Sequence, residues 1–465
     1  MVSTHNPNRP IPPKPSKQSF QKKPARIPRW IGLGIALAGV ASISATAGAL
    51  LATSLSSTPL MQGQLSPEEA KIFSQGNPIS TGSNLRLPRL TRPVNILVLG
   101  TKVLSSDVED APSELQDLGY HALVNSFEGL SDTMLLLRFN PQTEQLVILS
   151  LPRDTRTQIN GSLTKLNEAN RDGGPALAAS SVSDLLGGVA VDRYVRINVQ
   201  GVEKLFDALG GVTVNVPQDM KYQDDSQHLY INLKAGEQHL NGNQALQFLR
   251  FRYDEKGDIG RIQRQQMMMR AVVEQALNPA TIARMPKILS VIQEHVDTNL
   301  TIEELLALVG YSAQTNRSNV QMLMLPGEFS NPDDFELSYW LPDYSAIDSM
   351  VDQYFGFRAA TASTVHDPSY VRIAIQDSTG DSVAVQALID TLYESGYTNV
   401  YTDQDWNNEL PITRILAQQG DVASAEMLHR FLRVGEVRVE STGILDSDVT
   451  IQLGKDWLDE HGNRL

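Results

Sequence analysis

A dense group of basic residues lies between positions 249 and 265, in the stretch LRFRYDEKGDIGRIQRQ. It contains four arginines, Arg250, Arg252, Arg261 and Arg264. On a helix that begins at residue 260, Arg261, Arg264 and Gln265 share one face, because residues three and four apart are neighbours. A guanidinium group can donate two parallel hydrogen bonds to phosphate oxygens, and a helix N-terminus adds partial positive charge. The spacing therefore predicts a site for a doubly negative pyrophosphate. The alternative is a solvated surface, on which acidic neighbours neutralise the arginines; these are Asp254, Glu255 and Asp258.

A charged pair, Arg153 and Asp154, follows the apolar run Gln145–Leu151, which predicts a buried strand. Ligand sites in open α/β sheets lie where such strands end. We therefore expect both side chains to emerge at a ligand site.

The elements that must position these residues are predicted by apolar periodicity and by turn signals. Short apolar runs predict strands at 94–100, 134–139 and 145–151, and Asn140–Thr143 joins the last two as a hairpin. Further strands are predicted at 194–199 and 212–216. Helices are predicted at 180–186, 202–209, 245–252, 260–277 and 301–309. Alternating strands and helices indicate an α/β fold.

A polar stretch at 359–368 holds no clear element and marks a domain boundary. Beyond it lie a strand in VRIAIQDST from Val371, a helix at 383–394, a strand at 399–401, a helix at 423–431 and a strand at 448–453. This pattern predicts a small α/β unit of about 90 residues. The unit offers no paired acid and base, so the sequence favours a binding role over catalysis.

The first 29 residues contain seven Lys or Arg and no Asp or Glu, and their proline-rich composition predicts a disordered tail. No charged residue occurs between Trp30 and Pro67, and residues 30–55 are long enough for a transmembrane helix of about 20 residues. The basic flank predicts a cytoplasmic N-terminus, a single pass through the cell membrane and an extracytoplasmic remainder. The alternative is a cleaved signal peptide, with a processing site near Ala45-Thr46-Ala47. The length of the apolar stretch favours the uncleaved anchor. Residues 56–93 are rich in Ser, Pro, Gly and Gln and predict a linker.

The 465-residue chain carries a formal net charge of −14, of which the basic tail contributes +7, so the remainder carries −21. An acidic exported part argues against nucleic acid as the partner. The chain has no cysteine, which excludes disulfides, thiol nucleophiles and cysteine-bound zinc.

Eight pieces of the sequence, taken in order, resemble one known family. They are NILVLG, SDTMLLLRFNPQT, ILSLPRDT, KLNEA, LLG, DALGGVTVNVP, LNGNQALQFLRFR and DIGRIQRQQ. Residues 94–357 resemble the LytR-CpsA-Psr cell-envelope attachment enzymes, and residues 369–457 resemble the LytR C-terminal domain. The resemblance implies a central mixed β-sheet flanked by helices, a small C-terminal α/β domain and a single N-terminal transmembrane helix.

The resemblance also implies an activity. Members of the family bind a glycan linked to polyprenyl pyrophosphate and transfer its phosphoglycosyl end to a cell-wall hydroxyl, usually on peptidoglycan, with release of polyprenyl phosphate. Such a transfer needs positive groups on oxygens that gain charge, and a divalent metal such as Mg²⁺ or Mn²⁺ commonly helps. An apolar cleft between sheet and helices would hold the lipid tail.

Residue by residue, the resemblance implies a set of ligands for the pyrophosphate head group. These are Arg153, Lys165, Arg250, Arg252, Arg261 and Gln265, with Arg264 in the same cluster. Asp132 matches the metal-binding carboxylate, and Asp154 matches the acidic partner that orients Arg153. The implied catalytic residues are Asp132, Arg153, Asp154 and Arg261. Purely structural roles stay open for two of these positions, with Asp132 as a strand-end cap and Lys165 as a surface lysine.

Two residues depart from the family pattern. Lys102 stands where the family usually has Asp, Leu130 stands where it usually has Arg, and the insertion Val103–Phe127 separates them. The metal site therefore lacks one carboxylate, and a weakly bound ion is expected. Either the Lys102 ammonium replaces part of the metal charge near the phosphates, or a carboxylate of the insertion completes the site, or the activity is weakened or lost. The insertion carboxylates are Asp107, Glu109 and Asp110.

The sequence favours a membrane-anchored phosphotransferase, and two alternatives stay open. The first is a hydrolase that uses water as the acceptor at the same site and so acts as a polyprenyl-pyrophosphatase. The second is a non-catalytic wall-binding scaffold, which the changes at Lys102 and Leu130 favour and the retained Arg and Gln positions oppose. A transcription regulator would need a basic DNA-reading surface, which an acidic exported domain does not offer.

Overall fold

The computed structural model describes residues 65–461, apart from 74–78, 84–85, 103–126, 225–228, 252–256, 357–367 and the single positions 277, 332, 404, 407, 419 and 445. The predicted basic tail at 1–29 and transmembrane helix at 30–55 lie outside these residues. Among the helices that are described, none is long and apolar enough to cross a membrane.

The helices are numbered in chain order. They are α1 (Pro67–Ile72), α2 (Glu168–Leu185), α3 (Val199–Leu209), α4 (Gly242–Arg250), α5 (Gly257–Ala276), α6 (Pro279–Ala283), α7 (Met285–His295), α8 (Ile302–Ser312), α9 (Tyr344–Phe355), α10 (Ser382–Glu394), α11 (Val422–Leu432) and α12 (Lys455–His461). Short 3-10 helices lie at Arg317–Asn319 and Pro368–Tyr370.

The strands are numbered in the same way. They are β1 (Ser80–Ser83), β2 (Arg86–Leu90), β3 (Val94–Lys102), β4 (Leu130–Asn140), β5 (Gln145–Leu151), β6 (Arg156–Ile159), β7 (Ser162–Lys165), β8 (Arg193–Asn198), β9 (Val212–Val216), β10 (Met220–Asp224), β11 (Leu229–Leu233), β12 (Gly236–Leu240), β13 (Val296–Thr298), β14 (Val320–Met324), β15 (Gly327–Phe329), β16 (Trp340–Pro342), β17 (Arg372–Asp377), β18 (Asn399–Thr402), β19 (Arg414–Ala417), β20 (Glu436–Arg438) and β21 (Val449–Leu453).

The central sheet has the strand order β13-β8-β3-β4-β5-β14. β4 is antiparallel to both β3 and β5, whereas β8 is parallel to β3 and β14 is parallel to β5. The sheet is therefore mixed, and the prediction of a mixed α/β fold is confirmed. The predicted hairpin is the β4–β5 pair, which turns between Asn140 and Gln145.

Both faces of the central sheet are buried. Successive side chains of a strand point to opposite faces, and in β3 residues of both sets lie in a hydrophobic core. Leu97 and Leu99 of β3 lie in the core that also contains apolar residues of α2 and α9. Ile96, which precedes Leu97 and points to the opposite face, lies in a second core with Leu308 of α8. Burial on both faces explains why these strands are continuous apolar runs in the sequence.

In the predicted linker at 56–93, the described residues from 65 onward include a helix and two strands, which corrects that prediction for this part. Ser66 caps α1 through a reciprocal pair of hydrogen bonds with Glu69, and β1 pairs with β2. Phe73 and Ile79 are buried, and the Phe73 ring lies 5.1 Å from the ring of Tyr194. The linker was predicted from the composition of the whole segment, which is mostly polar. A composition averaged over many positions does not reveal two single apolar residues that pack into the core.

The C-terminal module has its own sheet, with the order β18-β17-β21-β19-β20. Its core contains Leu388 of α10, Leu428 of α11 and Trp457 of α12. The predicted small α/β unit is therefore present. Most of the polar boundary at 359–368 lies outside the described residues.

Candidate active site

Asp132 lies near the start of β4, at an irregularity in the pairing with β3. Gly100 pairs with Thr133 whereas Thr101 pairs with Ser131, so Asp132 is an extra residue on β4. Such a β-bulge bends the strand and redirects a side chain. The strands approach closely here, since a Cβ on Gly100 would lie 3.1 Å from the Thr133 Cβ. The bulge thus sets the direction of the Asp132 carboxylate.

Arg153, in the turn after β5, joins two carboxylates. Its Nη1 lies 2.6 Å from Asp132 Oδ1, and its Nε lies 3.2 Å from Asp154 Oδ2. The backbone N–H of Asn167 donates to the Arg153 carbonyl at 3.0 Å. Backbone and side chain together therefore fix the guanidinium at the end of the central sheet.

Asp154 is the point on which the positive groups converge. Lys165 Nζ lies 3.0 Å from its Oδ1, and Arg261 Nη2 lies 3.8 Å from its Oδ2. Arg153 is the third cation in contact with this carboxylate. Like charges at such distances repel, and a shared carboxylate offsets that repulsion. The arrangement can present a dense positive surface to an anion.

Lys165 comes from the short hairpin β6–β7, in which it pairs with Arg156. The two-residue turn has positive φ at both positions, 51° at Asn160 and 84° at Gly161. This is the backbone geometry that the Asn-Gly dipeptide favours in tight hairpins. No element was predicted at Lys165, although the Asn-Gly dipeptide is the sequence signal for this hairpin.

Helix α5 contributes Arg261 and Gln265. The Arg261 side chain is only 7% exposed, and Gln265 Nε2 lies 3.5 Å from the Asp132 carbonyl oxygen. The helix begins at Gly257, three residues before the predicted start, which leaves the shared face unchanged. The structure therefore brings six of the predicted residues together; these are Asp132, Arg153, Asp154, Lys165, Arg261 and Gln265.

Arg264 has different partners. Its Nη2 donates to the carbonyl of Phe251, and its guanidinium lies 5.6 Å from the centre of the Phe251 ring. Phe251 is the C-terminal cap of α4, where carbonyl groups lack helical donors. Arg264 thus joins α5 to the end of α4, and these contacts do not place it on Asp154.

The other predicted ligands are described only in part. Arg250 is the last residue of α4 and is half-buried. Arg252 lies outside the described residues. Lys102 ends β3 and pairs through its backbone with Leu130, two residues before Asp132, while its side chain is also outside them.

An aromatic hairpin, β15–β16 with its loop, lies against Lys165 and Arg156 and was not predicted. The backbone N–H of Trp340 donates to the Asp154 carbonyl at 2.9 Å. Lys165 Nζ lies 5.6 Å from the centre of the Tyr339 ring, and the Arg156 guanidinium lies 5.1 Å from that of Phe335. Aromatic faces attract such cations. The loop is rich in polar residues, so periodicity gave no sign that its rings face the site.

Two buried polar groups beside the site were also missed. Ser131 Oγ and Asn167 Oδ1 are buried and have no hydrogen-bond partner among the described residues. Both flank the site, since the Ser131 N–H donates to the Asn167 carbonyl at 3.2 Å. Asn167 stands in the KLNEA piece of the sequence, which was the available signal.

The donor set bears directly on the implied divalent metal. Asp132 is 25% exposed and binds Arg153 through Oδ1, while Asp154 contacts three cations. No cluster of three or more His, Asp or Glu suited to a metal occurs in the described part of the chain. Magnesium usually takes one or two carboxylates with water and phosphate oxygens. An ion at this site would have Asp132 as one carboxylate ligand and would take its other ligands from water and phosphate oxygens.

Two family models match the chain. The model of the LytR_cpsA_psr family matches residues 63–356, and the model described as LytR cell envelope-related transcriptional attenuator matches residues 370–457. The first match begins close to the first described residue and includes the segment that we had predicted as a linker.

Curated relatives are similar over the larger part of the chain. The polyisoprenyl-teichoic acid–peptidoglycan teichoic acid transferase TagV of Bacillus subtilis is 31% identical over 271 residues, which are 56% of this chain and 63% of TagV. TagU of Bacillus cereus, also named a polyisoprenyl-teichoic acid–peptidoglycan teichoic acid transferase, is 30% identical over 56% of this chain and 77% of its own length. The chain thus covers less than two thirds of TagV. A crystal structure of B. subtilis TagV has 27% identity and a TM-score of 0.47, covering 58% of this chain and 99% of that one.

Proposed function

The chain belongs to the LytR_cpsA_psr family, and on that basis we propose that it transfers a glycopolymer from a polyprenyl-pyrophosphate carrier to a hydroxyl group of peptidoglycan. The relatives TagV and TagU are named as transferases of teichoic acid from a polyisoprenyl carrier to peptidoglycan. The proposal carries the same class of reaction to this chain.

One observation supports the proposal above all others. Arg153, Lys165 and Arg261 converge on Asp154 at the end of buried strands. A pyrophosphate in transfer needs fixed positive groups around the oxygens that gain charge. Because the three cations are already aligned by one carboxylate, they need little reorganisation when the substrate binds.

The proposed step exchanges one P–O bond for another. The acceptor hydroxyl oxygen attacks the phosphorus atom next to the glycan, and the bond from that phosphorus to the bridging oxygen breaks. The bridging oxygen leaves with polyprenyl phosphate and gains negative charge, which Arg261 and Lys165 offset. The hydroxyl proton ends on this phosphate or on water. Arg153, held by Asp132 and Asp154, orients the phosphate under attack.

We also propose a magnesium or manganese ion as a weakly bound cofactor. Asp132 would hold it, together with oxygens of the pyrophosphate, and it would polarise the phosphoryl group. Lys102 belongs to the same proposal, because its backbone neighbours the start of β4. Its ammonium would offset phosphate charge and so replace part of the positive charge of the metal ion.

We propose that residues 30–55 anchor the protein in the cell membrane, with the described domains outside the cytoplasm. The lipid carrier lies in the same membrane, so an anchor would hold the site near its substrate. The seven basic residues before this span, with no acidic ones, support this orientation.

The test uses the full chain in liposomes, with a polyprenyl-pyrophosphate-linked glycan that carries a label on its sugar. Isolated peptidoglycan serves as the acceptor. Transfer predicts label bound to peptidoglycan through a phosphodiester and an equal amount of polyprenyl phosphate. A parallel reaction without peptidoglycan is the control.

The same reaction separates the alternatives. Equal release of polyprenyl phosphate with and without peptidoglycan, with the label in soluble glycan phosphate, would identify water as the acceptor and the protein as a hydrolase. Binding of the carrier without any release would indicate a scaffold. Either result would refute the proposed transfer.

A further inference from the structure

Helix α5 presents two nearly opposite faces to different parts of the protein. Each residue turns a helix by about 100°, so Arg261 and Gln265 lie about 40° apart, and Gln263 lies about 160° from both. Arg270 lies about 20° from Gln263 by the same geometry. Arg261 and Gln265 face the candidate active site, so Gln263 and Arg270 lie on the back of the helix.

The back of α5 is in contact with the C-terminal module. The contact is made by residues 439–443, which we call the docking segment. Gln263 Nε2 donates to the carbonyl of Gly443 at 2.7 Å, and Arg270 Nη1 lies 2.7 Å from Glu440 Oε1. The two contacts are two helical turns apart, so together they fix both the rotation and the axial position of α5.

The ion pair in this contact is buried. The Glu440 side chain is 4% exposed and that of Arg270 is 12% exposed. Arg270 also contacts Glu274 of its own helix, and Glu440 lies 3.8 Å from Arg438. When Glu440 loses its charge, Arg270 loses its buried partner and keeps Glu274, whose side chain is 35% exposed, so the largely buried cation is less well compensated. The helix would therefore tend to move when Glu440 loses its charge.

The docking segment is itself held rigidly at both sides. The Met322 N–H on β14 donates to the Val439 carbonyl at 2.8 Å, and the Ser441 N–H donates to the Met322 carbonyl at 3.0 Å. Within the C-terminal module, Ser441 Oγ donates to the Gln418 carbonyl at 2.7 Å. Gly443 has no room for a Cβ, which would overlap the Gln418 side chain. The segment is thus a fixed support against which α5 rests.

We propose that the C-terminal module positions the catalytic arginine, with Glu440 as a positioning residue that acts on Arg261 and Gln265 through Arg270. The inference rests on the proposed transferase function for its kinetic consequences, but not for its structural ones. Arg153 follows β5 and Lys165 ends β7, so neither residue lies on α5. A displaced Arg261 keeps its charge near the pyrophosphate, whereas catalysis depends on its exact placement. Loss of the Glu440 contact should therefore reduce turnover more than it reduces binding of the carrier.

The structural arm of the test compares Glu440→Gln with Glu426→Gln in the full-length protein. Glu426 is exposed on α11 of the same module, so its variant removes the same charge without touching α5. Hydrogen exchange of the amides of residues 257–276 should be faster in Glu440→Gln than in the parent and in Glu426→Gln. Equal exchange in all three proteins would overturn the proposal.

The kinetic arm uses the transfer reaction of the same proteins. Glu440→Gln should lower kcat about ten-fold, because small misplacements of catalytic groups cost much in rate, and should change KM for the carrier less than three-fold, on the order expected when ground-state contacts persist. Glu440→Asp should recover part of the turnover, since it restores the charge. A fall in binding alone, or unchanged kcat with altered exchange, would refute the positioning role.

A second variant guards against a folding defect. Gln263→Ala removes only the hydrogen bond to Gly443 and leaves the buried ion pair intact. It should shift exchange and kcat in the same direction as Glu440→Gln, by a smaller factor, and no shift in either would count against the proposal. If the parent transfers no glycan at all, the proposed function fails, while the exchange measurement still decides whether the module holds α5.

Discussion

Asp154 holds three cationic side chains that would otherwise repel one another. Its two oxygens contact Lys165, Arg153 and Arg261 at 3.0, 3.2 and 3.8 Å. A bound pyrophosphate would take over part of this compensation from outside. The cluster is therefore arranged before the substrate arrives. The contribution of each arginine to pyrophosphate binding then depends on how far its side chain is buried.

Arg261→Ala should weaken binding of a polyprenyl pyrophosphate by about ten- to a hundred-fold, since a charge-assisted hydrogen bond at a desolvated site contributes roughly 1.5–3 kcal/mol. Titration of the lipid in detergent micelles by calorimetry measures this loss. Arg430→Ala on α11 is the matched control, because Arg430 is exposed and lies in the C-terminal module. Small and equal effects of both changes would mean that Arg261 does not bind the pyrophosphate.

Lys102 gives a prediction about metal dependence. If its ammonium supplies part of the charge near the phosphates, Lys102→Asp should make turnover depend more steeply on magnesium, because it restores a carboxylate ligand. Lys102→Ala should lower turnover at every magnesium concentration. The measurement is a magnesium titration of the initial rate for both variants and the parent. If the three titration curves match, Lys102 does not lie at the site, and the carboxylates of the insertion become the candidates for completing the metal site.

The elements around the site differ in how far the sequence predicts them. The apolar runs of β3, β4 and β5 are evident, because strands buried on both faces need apolar residues at nearly every position. The bulge at Asp132 is not evident, since it arises from the pairing of two distant strands. The same holds for the β15–β16 hairpin, whose rings reach Lys165 only in three dimensions. Residue types near the site were predictable, whereas their convergence depends on long-range pairing.

The β6–β7 turn can be tested with Gly161→Ala. Gly161 has φ of 84°, and a Cβ there would meet no atom within 4 Å, so any effect comes from the backbone alone. A residue with a Cβ in the left-handed region loses roughly 1–2 kcal/mol, and the free energy of unfolding should fall by about that much. Urea denaturation measures the change, with the exposed neighbour Ser162→Ala as the control. An unchanged midpoint would show that the turn tolerates a Cβ.

At the scale of the whole molecule, the net charge is negative, whereas the side chains gathered at the candidate active site are mostly positive. The chain beyond the basic tail carries −21, while the site gathers positive side chains around Asp154. An anionic carrier is thus repelled by the surface at long range and attracted only close to the site, within a Debye length of about 8–10 Å at physiological salt. A membrane anchor would remove the need for long-range attraction, since it confines protein and carrier to one surface.

The predicted topology can be checked in cells. Seven basic residues before the apolar span should keep the N-terminus inside, so protease added to spheroplasts should digest the chain beyond residue 60. An epitope at residue 1 should survive on a short fragment, and a cytoplasmic enzyme serves as the control for intact membranes. Protection of the larger part, with loss of the N-terminal epitope, would reverse the orientation.

The docking segment also covers the outer edge of the central sheet. β14 has the sequence VQMLM, and at Met322 both its N–H and its carbonyl are bonded to the docking segment. An uncovered apolar edge strand is a template on which other copies of a chain add as further strands. A proteolytic cut that freed the C-terminal module would expose this template. The module therefore shields this edge strand from pairing with other copies of the chain.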